Sequence, residues 1–313
     1  MKSGSNLKGQ ILLDACYIKS GGGYVYLKMM SDVLSCAYEV IILSNRKYDL
    51  PYKQIMVKNI LWKEINLYRR RKLPMICLSN VPSLWKSYSI FFLHQRYYVD
   101  PEYYNFDSTI KLKMKRLFFR IFIRTQKNVY VQTKSMQRLC DRMIIDSSVN
   151  PFLFLRTLPV IEKKSQIVFI NDNVSHKRYF ENVATLEKLM SFGLDLIVVG
   201  EELKMTGVIN VGKQRHDEVL QLFAESIAFV SFSKFESLGL PLIEAALHSC
   251  ACFCYSSDFT DELLKNYICI DKFNELTHRQ ELVLKPSILR DEKLFKTTKK
   301  EVFKQLNREL CVG

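Results

Sequence analysis

The chain has 313 residues, of which 48% are hydrophobic and 25% charged, with nine cysteines and a formal net charge of +14. The length suits two domains, the apolar content excludes a disordered chain, and scattered cysteines without a C-x2-C pair exclude a disulfide framework or zinc site. No apolar run reaches the roughly 18 residues of a membrane-spanning helix, and residues 1–10 lack the apolar centre of a signal peptide, so we expect a cytoplasmic protein.

Apolar runs of strand type alternate with segments of helical period, which predicts an α/β architecture with parallel sheets. The first set of predicted strands covers residues 11–15, 40–44, 75–78, 90–93 and 129–132. The second set covers residues 167–170, 194–200, 208–211, 227–232, 251–255 and 268–270. Turn signals in residues 146–164 predict a linker, so we expect one domain over residues 1–150 and another over 151–313.

A glycine-rich segment follows the first predicted strand, where Gly21, Gly22 and Gly23 precede a helical pattern. Glycine allows a tight turn and a close approach of the backbone to a ligand. The G-x-G-x-x-G pattern is absent, which disfavours NAD binding. A ligand-bordering loop and a plain turn both remain open.

Two candidates follow the predicted strand over residues 90–93, namely His94 and Arg96. Ligands in open α/β sheets bind beyond the carboxyl ends of the strands, so His94 is a candidate site residue. A satisfied core histidine is the alternative. Arg96 is a candidate for contacting an acceptor phosphate.

Residues 108–140 contain no acidic residue but many basic ones, including Lys113, Arg116 and Arg120. Apolar residues recur here at helical spacing. One interpretation is a helix packed on its own sheet with a solvated basic face. We favour a surface that meets anionic lipid, whereas nucleic acid is disfavoured because no recognised binding motif accompanies the charge.

A second basic element, His176-Lys177-Arg178, follows the predicted strand over residues 167–170. If a helix begins there, its dipole opposes these cations, and a bound anion would relieve the conflict. Solvated basic residues are the alternative.

The most specific pattern is Ser233-x-x-Glu236-Ser-Leu238-Gly239-Leu240-Pro241-x-x-Glu244-Ala, in which seven residues separate two glutamates. It is typical of a strand, a short loop, and a helix that starts near the proline. Free N–H groups at such a helix start suit a phosphate, and carboxylates accept hydrogen bonds from sugar and ribose hydroxyls. The combination indicates a nucleotide-sugar pocket.

This pattern resembles the E-x7-E signature of retaining GT-B glycosyltransferases of the family-four type. The resemblance implies two Rossmann-like domains facing across a cleft, the N-terminal one for the acceptor and the C-terminal one for the nucleotide sugar. It implies catalytic roles for Glu236 at the donor sugar, for Lys177 at the diphosphate and for His94 near the sugar. The implied donor-binding residues are Glu244 on the ribose, Leu238, Gly239 and Leu240 near the phosphates, and Ser233, Arg178, Gly22 and Gly23.

Three departures from the family pattern stand beside this resemblance. Asn171 and Asn173 occupy the region where the family has an arginine before its lysine. Gln95 replaces the acid that usually follows the histidine, and His248-Ser249 stands where a glycine is usual. Either Lys177 or Arg178 is therefore expected to hold the diphosphate.

The implied function is retaining transfer of a sugar, as by a hexosyltransferase, from a nucleotide diphosphate sugar to an acceptor hydroxyl. No D-x-D motif occurs, so no metal and no other cofactor is expected. The basic surface favours a lipid-linked acceptor, such as a polyprenyl-diphosphate saccharide of bacterial O-antigen, capsule or lipopolysaccharide biosynthesis. The enzyme would then be a peripheral protein on the inner face of the plasma membrane. The alternatives are a GT-B nucleotide-sugar epimerase and a non-catalytic basic binding protein.

Overall fold

The computed structural model describes residues 9–18, 22–84, 88–103, 109–150, 153, 155–159, 161–171, 182–275, 284–291 and 297–312. The chain divides into two compact units, residues 1–154 with 296–313, and residues 155–295. The division falls inside the predicted linker over residues 146–164. Residues 296–313, which the sequence assigned to the second domain, belong to the first unit.

The first unit contains a parallel seven-stranded sheet of order β3-β2-β1-β4-β5-β6-β7. Its strands are β1 (Gly9–Asp14), β2 (Tyr38–Ser44), β3 (Lys53–Met56), β4 (Met75–Cys77), β5 (Ile90–Leu93), β6 (Val129–Val131) and β7 (Ser148–Val149). The central strands are continuous apolar runs because helices cover both faces of a parallel sheet. Every residue of β4, β5 and β6 is buried accordingly.

Among the described residues of this unit, four α-helices lie between strands, namely α1 (Gly22–Leu34), α2 (Ile60–Arg69), α3 (Ile110–Phe122) and α4 (Lys134–Arg142). The side chains of Asn59 and Thr133 cap α2 and α4 by accepting backbone N–H groups. Leu67, Phe119 and Met136 join one apolar cluster with the strands. Helices α2, α3 and α4 therefore share one face of the sheet.

The second unit contains a parallel six-stranded sheet of order β10-β9-β8-β11-β12-β14. Its strands are β8 (Lys164–Asn171), β9 (Asp195–Gly200), β10 (Ile209–Gly212), β11 (Ser226–Ser231), β12 (Ala251–Cys254) and β14 (Ile268–Cys269). Two short strands, β13 (Leu264–Lys265) and β15 (Ile288–Leu289), pair antiparallel apart from this sheet. The helices in the described part of this unit are α5 (Val183–Ser191), α6 (His216–Glu225), α7 (Leu240–Leu247), α8 (Asp258–Leu263) and α9 (Ile270–Glu275).

The C-terminal helix α10 (Lys299–Val312) explains why the last residues belong to the first unit. Val302 and Leu306 are fully buried, and the Tyr38 hydroxyl donates to Asn307 Oδ1 at 2.7 Å. The helix also contacts α1. Because α1 is absent from the cluster that holds α2–α4, this pair covers the other face of the first sheet.

The strand order reverses direction once in each sheet, between β1 and β4 and between β8 and β11. Ligands of open α/β sheets bind at such points, beyond the carboxyl ends of the strands. The β11–α7 connection, which contains the two glutamates, leaves from this point in the second unit. Over the described residues, no helix is both long and apolar enough to cross a bilayer.

Candidate functional site

The connection between β11 and α7 ends at Gly239, which caps the helix with a left-handed backbone (φ +66°). A Cβ at this position would lie 3.1 Å from Phe259 Cε2, so both the conformation and the space require glycine. Pro241 occupies the first turn of α7, as the sequence predicted. The chain thus enters α7 abruptly from a loop at the edge of the sheet.

Glu236 lines a small pocket beside this turn. Gly239 and Pro241 line the same pocket, together with Ile170 near the end of β8 and Ser231 at the end of β11. Among the described residues, the half-buried Glu236 carboxylate has no hydrogen-bond or ion-pair partner. An acceptor group without a protein partner, at a strand-order reversal, is suited to bind a ligand hydroxyl.

Three other predicted residues of this connection differ in exposure. The hydroxyl of Ser233 is buried and finds no hydrogen-bond partner in the described part of the chain, which is a costly arrangement for a polar group. Leu238 is 5% exposed, so its side chain belongs to the core, whereas Leu240 is half-buried. Leu238 therefore packs its side chain into the core instead of lining the pocket with it.

Glu244 lies in the middle of α7 with its side chain only 5% exposed. Its Oε1 is 2.6 Å from Nε2 of His216, the first residue of α6. Buried carboxylates normally need such a partner. The sequence placed Glu244 at the site, whereas its contact with His216 was not predicted.

His248 holds the C-terminal end of α7 in place. The Leu158 N–H donates to His248 Nε2 at 3.1 Å, so Nε2 is the acceptor nitrogen of the ring. Nδ1 then bears the proton and donates to the Glu244 carbonyl oxygen at 2.7 Å. His248 is thus a satisfied core histidine that ties the end of α7 to residues 155–159.

Ser249 explains one departure from the family pattern. It adopts a left-handed backbone (φ +58°) just after α7, the conformation in which a glycine is usual. The Ser249 N–H donates to the Ala246 carbonyl, and the Cys250 N–H donates to the Ala245 carbonyl. The helix therefore ends in a standard Schellman motif despite the serine.

Gly200 is the last residue of β9 and lies beside Asn171, the last residue of β8. A Cβ on Gly200 would lie 2.2 Å from the Asn171 carbonyl oxygen, and its φ is +104°. The Glu201 N–H donates to that oxygen at 2.7 Å, while Asn171 Nδ2 donates to the Glu201 carbonyl at 3.0 Å. Asn171 is therefore committed to this turn. Lys177 and Arg178 follow within residues 172–181, outside the described residues.

In the first unit, His94 extends from the end of β5 toward aromatic neighbours. Its ring stacks on Phe92 and meets the edge of Tyr26 at centroid distances of 5.5 and 4.6 Å. Asn80 Oδ1 accepts from the N–H groups of His94 and Gln95. Burial lowers the pKa of His94 to about 4, with the Gln132 side chain opposing the shift. His94 is therefore neutral near pH 7.

The glycines after β1 lie in a helix rather than in the loop that the sequence predicted. Gly22 and Gly23 form the first turn of α1. A Cβ on Gly23 would approach Ile18 Cγ2 to 3.2 Å, so close packing accounts for this glycine. Gly21 lies outside the described residues.

A buried ion pair at the strand-order reversal of the first unit was not predicted. Lys63 Nζ lies 2.8 Å from Asp14 Oδ2, and both side chains are fully buried. The hydroxyls of Tyr88 and Ser79 donate to the same carboxylate, and Lys63 donates to the Val81 carbonyl. This network joins β1, α2 and the β4–β5 connection. The only sequence signal was an aspartate ending an apolar strand.

The basic residues assigned to the acceptor or lipid side separate into two groups. Arg96 is 9% exposed and its Nε donates to Asp100, while Arg116 is 5% exposed and its Nε donates to the Tyr97 carbonyl. Both side chains are therefore buried and hydrogen-bonded through Nε inside the unit. Lys113 and Arg120 instead lie on the exposed surface of α3.

The apolar stripe of α3 faces away from the sheet. Ile110, Met114, Leu117 and Ile121 are 80%, 61%, 54% and 56% exposed. Their spacing places them on one side of the helix, and Phe119 packs into the core from the other. The simple interpretation, in which the stripe packs on its own sheet, is therefore wrong for these four residues.

No group of three or more His, Cys, Asp or Glu side chains suited to hold a metal ion occurs among the described residues. The described cysteines are free thiols, and Cys250, Cys252 and Cys254 are fully buried.

No protein-family model matches the chain, and no curated protein matches it by sequence. Solved structures do match over nearly the whole chain. HepE (Alr3699) of Anabaena, in complex with UDP and glucose, is 11% identical with a TM-score of 0.64, covering 96% of this chain and 95% of its own. WaaG, a glycosyltransferase involved in lipopolysaccharide biosynthesis, is 14% identical with a TM-score of 0.64, covering 96% and 92%.

Sucrose-phosphate synthase from Thermosynechococcus elongatus is 14% identical with a TM-score of 0.63, covering 96% of this chain and 95% of its own. At these identities the likeness concerns the fold. The two parallel α/β units are those of the GT-B fold, which confirms the fold that the sequence predicted. The resemblance to family-four enzymes holds by structure.

Proposed function

We propose that the protein is a retaining glycosyltransferase that moves a sugar from a nucleotide diphosphate sugar to an acceptor hydroxyl. The main support is the β11–α7 connection, where His216 holds the buried Glu244. Glu236, which has no partner among the described residues, lines a pocket beside Gly239. In this proposal Glu244 binds the ribose hydroxyls and Glu236 orients the donor sugar. The N–H groups near Gly239 face the diphosphate.

The transfer breaks the bond between the anomeric carbon and the diphosphate oxygen and forms a bond from that carbon to the acceptor oxygen. The acceptor proton goes to the departing diphosphate. Electrostatic stabilisation of that leaving group is then the main requirement. We assign it to the start of α7 and to Lys177 or Arg178. His94 would act as a neutral hydrogen-bonding group at the sugar, in keeping with its lowered pKa.

We assign acceptor binding to the first unit, which contains the expected domain over residues 1–150. We assign donor binding to the second unit, which is the expected domain over residues 151–313 without its C-terminal helix. The donor requires no metal in this mechanism. HepE has been crystallised with UDP-glucose, so a UDP-sugar is the first donor to test.

The proposed acceptor is a lipid-linked saccharide reached from an anionic membrane surface. The support is the exposed apolar stripe of α3, with Lys113 and Arg120 on the same exposed helix. Ile144 adds to this, because it is 82% exposed and holds a left-handed backbone (φ +58°) that is costly for a β-branched residue. It lines a groove with Ile123 and Arg124, just after α3. Such a location would suit O-antigen or capsule assembly.

A direct test measures nucleoside diphosphate release from UDP-, GDP- and ADP-sugars, with and without a polyprenyl-diphosphate saccharide. The proposal predicts release that depends on the acceptor and that falls by roughly a hundredfold in Glu236→Gln. The matched control is Glu225→Gln, which changes a surface carboxylate paired with Lys164. Release of an epimerised free sugar without acceptor would identify an epimerase instead. If the wild type and Glu236→Gln both release no nucleoside diphosphate from any donor, a non-catalytic binding protein is favoured.

A further inference from the structure

The contact between His216 and Glu244 joins two helices that are far apart in the sequence. Their side-chain atoms Nε2 and Oε1 lie 2.6 Å apart, across 28 positions of the chain. Helices α6 and α7 also contact each other. The pair therefore helps to hold α6 against α7.

The two partners differ in exposure. The Glu244 side chain is 5% exposed, whereas that of His216 is 36% exposed. A buried carboxylate that accepts a hydrogen bond from one side has its rotamer fixed by that donor. Its second oxygen, Oε2, is not among the buried polar atoms without a partner, although no described residue hydrogen-bonds to it. Oε2 therefore keeps exposed surface and is the oxygen available to a ligand.

We propose that His216 is a positioning residue for nucleotide recognition, which holds Glu244 Oε1 so that Oε2 faces the ribose hydroxyls. This inference rests on the proposed function, because it concerns how the same site selects a ribonucleotide. His216 does not touch the reacting atoms in this proposal. It acts through Glu244, by limiting the carboxylate to one orientation.

Other contacts keep the two partners in register. The Glu218 carboxylate accepts from the Arg215 N–H at 2.7 Å, which fixes the start of α6 and therefore the position of His216. His248 Nδ1 donates to the Glu244 carbonyl, which fixes the end of α7. The side-chain contact thus forms between two anchored backbones and needs little further ordering.

The test is calorimetric titration of the full chain with UDP, GDP and ADP, each compared with its 2′,3′-dideoxy counterpart. The ratio of dideoxy to ribose Kd reports the Glu244–ribose contact alone. For the wild type we expect a ratio of about tenfold or more for the nucleotide that binds best, since a hydrogen bond to a charged group is lost. In Glu244→Gln the ratio should fall to within about threefold.

His216→Ala should reduce this ratio to a similar extent while leaving the dideoxy Kd unchanged. The double variant His216→Ala/Glu244→Gln should show no further loss, because both changes remove one interaction. His216→Gln, whose amide can still donate to Oε1, should restore part of the ratio. Asp217→Asn, which changes the exposed neighbour of His216 on the same helix, should keep the wild-type ratio.

The outcomes separate the inference from the function on which it rests. If none of the three nucleotides binds the wild type, the proposed function fails. If a nucleotide binds and His216→Ala keeps the wild-type ratio, or weakens both forms of the nucleotide equally, the positioning role of His216 is wrong. If His216→Ala does not fold, His216→Leu, which also lacks a donor for Oε1, replaces it, and a wild-type ratio in that variant overturns the positioning role.

Discussion

His94 shows how burial changes the chemistry of a single residue. Its pKa falls from 6.5 to about 4, so the folded chain holds it neutral where the unfolded chain begins to protonate it. The unfolded state then binds more protons in that window, and stability rises with pH. We expect this residue to contribute a loss of about 3 kcal/mol in the free energy of unfolding as the pH falls from 6.5 to 4.

Urea unfolding across that pH range, for the wild type and for His94→Gln, measures this contribution. The free energy of unfolding of the wild type should rise relative to that of His94→Gln as the pH increases toward neutral. His248→Gln is an unsuitable control because that ring is tied to two backbone groups. Equal slopes for the wild type and His94→Gln would show that His94 does not titrate in this way.

Ser249 is a residue at which a substitution is expected to stabilise the fold. Its left-handed backbone favours glycine, so Ser249→Gly should stabilise the fold by about 0.5–1 kcal/mol. Ser191→Gly is the matched control, since that exposed serine lies in the right-handed helix α5 and should lose stability by about as much. Urea midpoints decide the matter, and a loss of stability in Ser249→Gly would count against the strain.

Contacts between distant residues were the part of the site that the sequence did not predict. The spacing of Glu236 and Glu244 was visible as a local pattern around one turn. The partners His216 and Lys63 were not, because each contact joins elements that lie apart in the chain. Pattern and propensity report local structure, whereas such pairs depend on how helices pack.

At the scale of elements, Lys163 connects two helix ends. Its Nζ donates to the carbonyls of Phe223 in the last turn of α6, Ser226 just after α6 and His248 just after α7, at 2.9, 2.8 and 2.5 Å. Loss of this amine would leave carbonyl oxygens at two helix ends with fewer hydrogen bonds, which costs stability. Lys163→Met should therefore lower the free energy of unfolding by about 2–4 kcal/mol.

Lys164→Met provides the control for this prediction. Lys164 is the next residue, and it makes an exposed ion pair with Glu225. Such pairs contribute about 0–1 kcal/mol, so the control should change little in the same urea titration. A similar effect of both substitutions would show that Lys163 is not a helix-end cap.

The α3 stripe makes an element-scale prediction about membranes. Leu117→Gln/Ile121→Gln should leave the unfolding free energy nearly unchanged, because both side chains are mostly exposed. Retention by vesicles that contain anionic lipid should fall by about tenfold or more. Ile209→Gln changes a similarly exposed apolar residue of the second unit, and this variant should be retained by the vesicles as well as the wild type is. Wild-type protein that passes anionic vesicles unretained would contradict the membrane surface.

Elements of strong apolar pattern were predicted, and weaker ones were not. All the predicted strands occur within a few residues of their expected bounds. The short strands β3, β7, β13 and β15 were missed, because two to four residues with exposed positions show too little periodicity. For α3 the helical period was correct but the buried side was not. Periodicity alone does not tell which side of an amphipathic helix packs on the sheet.

At the scale of the whole molecule, the alternation of strands and helices was sufficient to predict two parallel α/β units. The position of α10 in the first unit was not predicted, because it depends on a return of the chain to the first sheet. The proposed division of labour places the donor on the second sheet, whose strand order reverses next to Glu236. That assignment leads to the central claim, that the E-x7-E connection binds a nucleotide diphosphate sugar.

Calorimetric titration of UDP-glucose, other UDP-sugars and GDP- and ADP-sugars into the full chain, beside Glu244→Gln, tests this claim most directly. We predict that at least one donor binds with a Kd below about 1 mM and that Glu244→Gln weakens it by about tenfold or more. Gln221→Ala, a change on the exposed side of α6, should leave the Kd unchanged. Absence of binding by every donor, or equal affinity in Glu244→Gln, would contradict the claim.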